Sequence, residues 1–234
     1  MKNETLAEAF LALYQLVIRL RAPDGCPWDA KQTKETLAGY LLEEAYEVVE
    51  AVEQGEPQAI CEELGDLLFQ IVFLAYLAEE KKEFDLQQVI ERIQAKMIRR
   101  HPHVFGPVKV ANAAEVVDNW ARIKKDEKGA AATLNDIPKN LPALLASQQI
   151  LKRTRETRSP DHKPEDLWGV LERGIPQIRA MRDRTPDQAG LIIGEWLFLL
   201  AQIAWQSGLS AEHLLRAQNQ RILAELKEAE TKNK

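Results

Sequence analysis

Thr36 to Ala78 reads TLAGYLLEEAYEVVEAVEQGEPQAICEELGDLLFQIVFLAYLA, two helical patterns with a break between them. In the first, Leu37, Leu41, Ala45, Val48 and Val52 fall on one face of a wheel turning 100° per residue, which predicts a helix over 36–54. Gly55 stops it, and Pro57 sits where the first turn of a new helix accepts a proline. A connection this short makes the two helices antiparallel neighbours. The run from Leu67 to Ala78 is apolar all round apart from Gln70, so the second helix is expected to be buried by its neighbours.

Working outward, the periodicity stays helical, and no segment alternates with period two between hairpin turns. The fold class is therefore all-α. Upstream, Thr5 and Glu8 form a capping-box pattern ahead of Leu6, Phe10, Leu13, Val17 and Leu20, which predicts a helix over 6–20. Arg21 to Lys31 holds Pro23, Gly25, Pro27 and Trp28 and reads as an ordered loop. Downstream, Asp85 with Gln88 resembles a second capping box, and the helix it opens ends before His101 and Pro102. These elements predict a four-helix unit closing near 106. Next come a connector over 107–137 with one helix at 114–128 and an interruption at Gly129 to Ala132, and a second helical part over 138–234. In that part helices are expected at 144–155, 165–173, 187–206 and from Ser210 onward. Gly194-Glu195-Trp196-Leu197-Phe198 echoes Gly65-Asp66-Leu67-Leu68-Phe69, which makes an internal repeat plausible.

Of the 234 residues, 45% are hydrophobic and 29% charged, a balance that supports a packed core. Thirty-one basic against 36 acidic side chains leave a net charge of −5, which argues against generic nucleic-acid binding. Cys26 and Cys61 are too few for a disulfide framework, and the expected compartment is a reducing cytoplasm. The N-terminus lacks a secretory pattern, and the run over 67–78 is shorter than the roughly 20 residues a bilayer requires, so no membrane partner is expected.

The chemistry lies in the acids. Glu44 sits at the edge of an apolar face, between Tyr40 and Val48, with Glu47 one turn on. In the next helix Glu63 and Asp66 repeat the i, i+3 spacing and share a side with Gln70, Phe73 and Leu77. Four carboxylates where water is scarce repel and call for a hard cation; an all-oxygen donor set points to Mg²⁺, with Mn²⁺ as substitute. Spacing alone serves the solvated or lysine-paired reading equally. Arg92, Lys96, Arg99 and Arg100 add a basic ridge that reads as a solvated helix face or as the cationic half of a polyphosphate site. Trp28 can stack on a base, with Lys31 reaching a phosphate, or can anchor its loop against the bundle. His101 and His103 read as parts of a helix-ending loop, Cys61 as a small packed side chain, and Tyr40 as core or as a partner of Glu44.

Glu43-Glu44-Ala45-Tyr46-Glu47 followed by Glu63-Leu64-Gly65-Asp66 resembles the EExxE…ExxD signature of the MazG nucleoside triphosphate pyrophosphohydrolases, in the all-α NTP pyrophosphohydrolase superfamily. Gly25-Cys26-Pro27-Trp28-Asp29, Gln32-Thr33, Phe84-Asp85-Leu86 and Arg99-Arg100-His101-Pro102-His103-Val104-Phe105 extend the resemblance in order over about 6–106. Leu134 to Ala146 resembles the family's interdomain segment. The resemblance implies two tandem MazG-like domains of four-helix-bundle type and a homodimer. The implied activity is Mg²⁺-dependent hydrolysis of nucleoside triphosphates to the monophosphate and pyrophosphate. Glu44, Glu47, Glu63 and Asp66 match the metal-ligand positions, and Lys96 and Arg100 match the phosphate-binding pair, with Arg99 beside them. Glu43 is a candidate water-orienting group. In the second domain Ile192 replaces an acid and Glu195 an aspartate, and Gly174 and Pro176 are expected to break the acid helix. That domain therefore reads as degenerate, with a packing, dimer-forming or regulatory role. The alternatives are a pyrophosphohydrolase restricted to one nucleotide, such as dUTP or phosphoribosyl-ATP, and a non-catalytic helical regulator.

Overall fold

The computed structural model describes residues 2–128, 137–157, 166–180 and 186–232, and every regular element among them is a helix. They are α1 (Lys2–Arg21), a 3-10 turn (Asp29–Lys31), α2 (Lys34–Gln54), α3 (Pro57–Glu80), α4 (Leu86–Arg100), α5 (Pro102–Phe105), α6 (Ala113–Lys128), α7 (Ala143–Thr157), α8 (Leu167–Arg179), α9 (Pro186–Gln206) and α10 (Ala211–Lys232). The expected interruption at Gly129 to Ala132, the first residues of the segment at Leu134, and the helix start at Glu165 lie outside the described residues. The chain divides into two compact units, Met1–Lys124 and Lys125–Lys234.

In the first unit, α2 and α3 form an antiparallel hairpin, with α1 and α4 each packed on α3. Thr33 caps α2 by accepting from the Thr36 amide, while the Thr36 hydroxyl accepts from the Thr33 N–H. Gly55 ends α2 in the left-handed conformation (φ 77°), and Pro57 opens α3 where a missing N–H costs nothing. Asp85 and Gln88 form the expected reciprocal cap of α4.

Val17, Leu37, Val72, Phe73, Ala75, Leu77 and Leu86 make the core, and Phe10, Leu13, Tyr14, Tyr40 and Phe69 pack around them. Each large side chain buried here contributes about 1.5–3 kcal/mol. Tyr40 is thus a core residue.

The loop after α1 is ordered by one cation. Arg21 Nη1 donates to the carbonyls of Asp29 (2.8 Å), Ala30 (2.9 Å) and Gln32 (3.2 Å), while its other nitrogens pair with Glu80. Trp28, expected to anchor this loop, is 63% exposed, so the anchor is Arg21.

Three further expectations are corrected. The first helix begins at Lys2, which places Thr5 inside it and not at its cap. Cys61 is exposed and does not pack. The second helix of the hairpin is not buried all round: Leu64, Leu68 and Ile71 line an exposed stripe on α3, and Leu42, Tyr46 and Val49 are exposed on α2. The buried residues of α3 all lie between Val72 and Ala78.

In the second unit α9 packs on α7, α8 and α10, and Leu151, Leu167 and Ala201 are buried. Contrary to expectation, α8 runs unbroken through Gly174 and Pro176. Pro176 loses the bond its N–H would give the Glu172 carbonyl, and the helix absorbs that loss and continues to Arg179. α9 carries an 18-residue window, Ala189–Gln206, long and apolar enough to cross a membrane by length and composition, where the sequence pattern had drawn attention only to 67–78.

Candidate active site

The α2–α3 hairpin brings three carboxylates to one point. Oxygens of Glu44, Glu63 and Asp66 lie within 4.8 Å of one another, Glu44 and Glu63 partly buried and Asp66 exposed. Glu44 stands in the middle turns of α2, and Glu63 and Asp66 occupy successive turns of α3, so the antiparallel pairing alone makes the convergence.

Glu47, expected as the fourth member, is exposed and falls outside this group of three, although its charge acts on both Glu44 and Glu63. Both partly buried acids hold their protons above the usual carboxylate range. For Glu44 the largest cause is burial, then the hydrogen bond its protonated carboxyl donates to Glu47, opposed by the bond it accepts from Gln70, with the charges of Glu47 and Asp66 adding to the rise. For Glu63 burial is again first, followed by the charges of Glu47, Asp66, Glu62 and Glu50. Loss of hydration is the larger part of both shifts, and repulsion from the neighbouring acids adds to it.

Gln70 Nε2 donates to Glu44 Oε1 over 3.4 Å, and Gln70 Oε1 is buried without a donor. The sequence places Gln70 beside the acids; this orienting bond becomes visible only once α2 packs on α3. Glu43, rotated about 100° from Glu44 on α2, is exposed.

The basic ridge follows α4. Arg92 and Arg99 are exposed, whereas Lys96 and Arg100 are partly buried. The Arg100 guanidinium lies 5.8 Å from the Trp120 ring centroid, and Lys124 Nζ lies 5.9 Å from the same ring. Sequence reasoning missed Trp120 and Lys124; the signal was a single indole in a charged helix with a lysine one turn on. Trp28 and Lys31 are both exposed before α2.

His101 Nδ1 lies 2.6 Å from the Met97 carbonyl, which can only accept, so this nitrogen carries the proton. The residue ends α4 and begins α5, as a helix-ending role requires, with the His103 ring 5.6 Å away.

A donor set of oxygens alone, mutually repelling and with a buried acceptor beside it, fits a hard divalent cation. A family model described as the MazG nucleotide pyrophosphohydrolase domain matches residues 32–105, the span that holds all four acids and the ridge. The chain is 37% identical over 228 residues to the nucleoside triphosphate pyrophosphohydrolase of Escherichia coli (strain K12), covering 93% of this chain and 86% of that one.

The chain belongs to the MazG family.

As a MazG protein it is a hydrolase acting on acid anhydrides. The Thermotoga maritima nucleoside triphosphate pyrophosphohydrolase/pyrophosphatase MazG is 32% identical over 223 residues, covering 94% of this chain and 85% of its own. A solved MazG-related protein from Thermotoga maritima superposes with a TM-score of 0.43 at 30% identity, over 50% of this chain and 98% of the other.

Proposed function

We propose that the first unit hydrolyses nucleoside triphosphates to the nucleoside monophosphate and pyrophosphate, with Mg²⁺, or Mn²⁺ in its place, held by Glu44, Glu47, Glu63 and Asp66. The observation that carries this reading is the convergence of three carboxylates within 4.8 Å on two adjoining helices. When bound, such an ion offsets polyphosphate charge and lowers the pKa of a ligated water. Gln70 holds Glu44 in its ionised form and fixes its direction. Glu43, outside the ligand set, orients the attacking water toward the α-phosphorus from the exposed side of α2. Lys96, Arg99 and Arg100 neutralise the remaining phosphate oxygens, and Trp120 confines the Arg100 guanidinium. Trp28 and Lys31 are assigned to base and phosphate contacts respectively, because both are exposed at the start of α2.

The exposed stripe of Leu64, Leu68 and Ile71, continued by Leu42 and Tyr46, supports a homodimer that covers it, since contiguous apolar surface of this kind marks an interface. Free Cys26 and Cys61 support a reducing cytoplasm as the place of work.

The test is to incubate the purified chain with each nucleoside triphosphate and Mg²⁺ and to identify the inorganic product. Pyrophosphate is expected; orthophosphate, or no turnover with any nucleotide, overturns the reading. The same panel distinguishes a broad enzyme from one restricted to dUTP or phosphoribosyl-ATP.

A further inference from the structure

The two echoing stretches beginning at Gly65 and Gly194 are 129 residues apart, and the same offset aligns much more. It sets Pro186, the first residue of α9, against Pro57, the first residue of α3. It sets Arg173 against Glu44, Pro176 against Glu47, Ile192 against Glu63 and Glu195 against Asp66. Four acids in the first unit thus correspond to one acid, one arginine and two uncharged residues in the second. That donor set cannot hold a hard divalent cation, which needs several anionic oxygens.

The second unit is not closed at this place. Arg173 and Glu195 line a cavity of about 430 Å³ between α8 and α9, with Gly174, Trp196 and Gln202 on its walls. Its volume is that of a small-molecule site. Trp196 stands where the first unit has Leu67. A Cβ on Gly174 would lie 2.5 Å from Trp196 Cζ2, so the glycine is what lets the indole rest against the α8 backbone. An indole face takes a planar ring, a guanidinium takes a phosphoryl group through paired N–H donors, and the Gln202 amide and Glu195 carboxylate suit the donors and acceptors of a base edge. A polyphosphate would set several charges against Glu195 with a single guanidinium to offset them. One phosphoryl group matches.

We propose that this cavity binds a nucleoside monophosphate without a metal ion, Arg173 taking the phosphate and Trp196 the base. Such binding is independent of the reaction proposed for the first unit.

The test uses the full chain in EDTA, titrated calorimetrically with AMP, GMP, CMP and UMP, and with adenosine and inorganic phosphate as controls. At least one monophosphate is expected to bind once per chain, about tenfold or more tighter than either control. Arg173→Gln and Trp196→Leu are each expected to weaken it about tenfold at unchanged helicity, while Glu63→Gln leaves it intact. Absence of binding in EDTA, equal binding by both second-unit variants, or loss in Glu63→Gln overturns the proposal. Should those variants unfold, photolabelling the unaltered chain with 8-azido-AMP decides: label on α8 or α9 supports the site, and label confined to the first unit overturns it. Triphosphate turnover by the unaltered enzyme is scored separately, so failure of one reading leaves the other standing.

Discussion

The Gln70 amide donates to the Glu44 carboxylate across the α2–α3 contact, at 3.4 Å, and is the one influence holding the Glu44 proton affinity down against burial and its acidic neighbours. Gln70→Leu is therefore expected to raise the Glu44 pKa further and to shift the acid limb of the activity profile to higher pH, with a loss of roughly 1–3 kcal/mol in transition-state stabilisation on that limb. A profile of kcat/KM from mildly acid to neutral pH checks it; an unmoved acid limb removes Gln70 from this role.

Glu63→Gln is expected to move stability and activity in opposite directions. The Glu63 pKa is raised on folding, so the folded chain keeps this proton longer than the unfolded one as pH rises. Stability then falls through the interval between the two pKa values and leaves a penalty at neutral pH, which glutamine removes. Melting in EDTA should not fall, and turnover should drop by about a hundredfold or more. Circular dichroism and pyrophosphate release measure the two effects.

Mg²⁺ is expected to raise the melting temperature of the unaltered chain, because bringing three carboxylates together costs less once a cation joins them. Combining Glu44→Gln, Glu63→Gln and Asp66→Asn should abolish the shift. An equal shift in that variant would place the ion elsewhere.

Arg21→Ala strands the carbonyls of Ala30 and Gln32 and a paired Glu80, while Asp29 keeps its bond from the Gln32 N–H, a change expected to cost roughly 2–4 kcal/mol in urea unfolding. Lysine should restore little, since one ammonium cannot reproduce the planar fork.

Tyr14 donates to Glu79, and its phenol titrates well above the usual range because of burial first and then that bond and charge. The folded state favours the protonated phenol, so this contribution is fully present below the ordinary tyrosine pKa and is lost as pH climbs toward the raised folded value. Tyr14→Phe should cost about 0.5–1 kcal/mol near neutrality and flatten the alkaline decline in stability. Urea unfolding at neutral and alkaline pH checks both.

Gly55, Pro57 and the Asp85–Gln88 cap were legible because each acts through its own backbone and needs no tertiary context. Glu44, Glu63 and Asp66 were legible as neighbours because helical spacing plus a short turn confines them to one side of a hairpin, whereas Glu47, at the same spacing, stays exposed outside the group. Thr5 misled because a capping-box pattern recurs inside helices, where it is only an i, i+3 pair. Pro176 misled because a helix packed against a neighbour can absorb the loss of one backbone bond, and that neighbour, α9, is not visible in the local pattern. Trp28, Cys61 and the stripe at Leu64 share another cause: hydrophobic identity says a side chain is better covered, but not which neighbour is there to cover it. The Trp120–Lys124 pair could have been read from its spacing on one helix, but the approach of Arg100 could not, because it comes from another helix.

Everything that gathers Glu44, Glu63 and Asp66 lies within one hairpin joined by Gly55 and Glu56. Short-range closure of this sort is quick compared with the assembly of distant segments. A growing polypeptide that has cleared the ribosome as far as Glu80 already holds all three converging carboxylates, while the whole second unit is still to be translated.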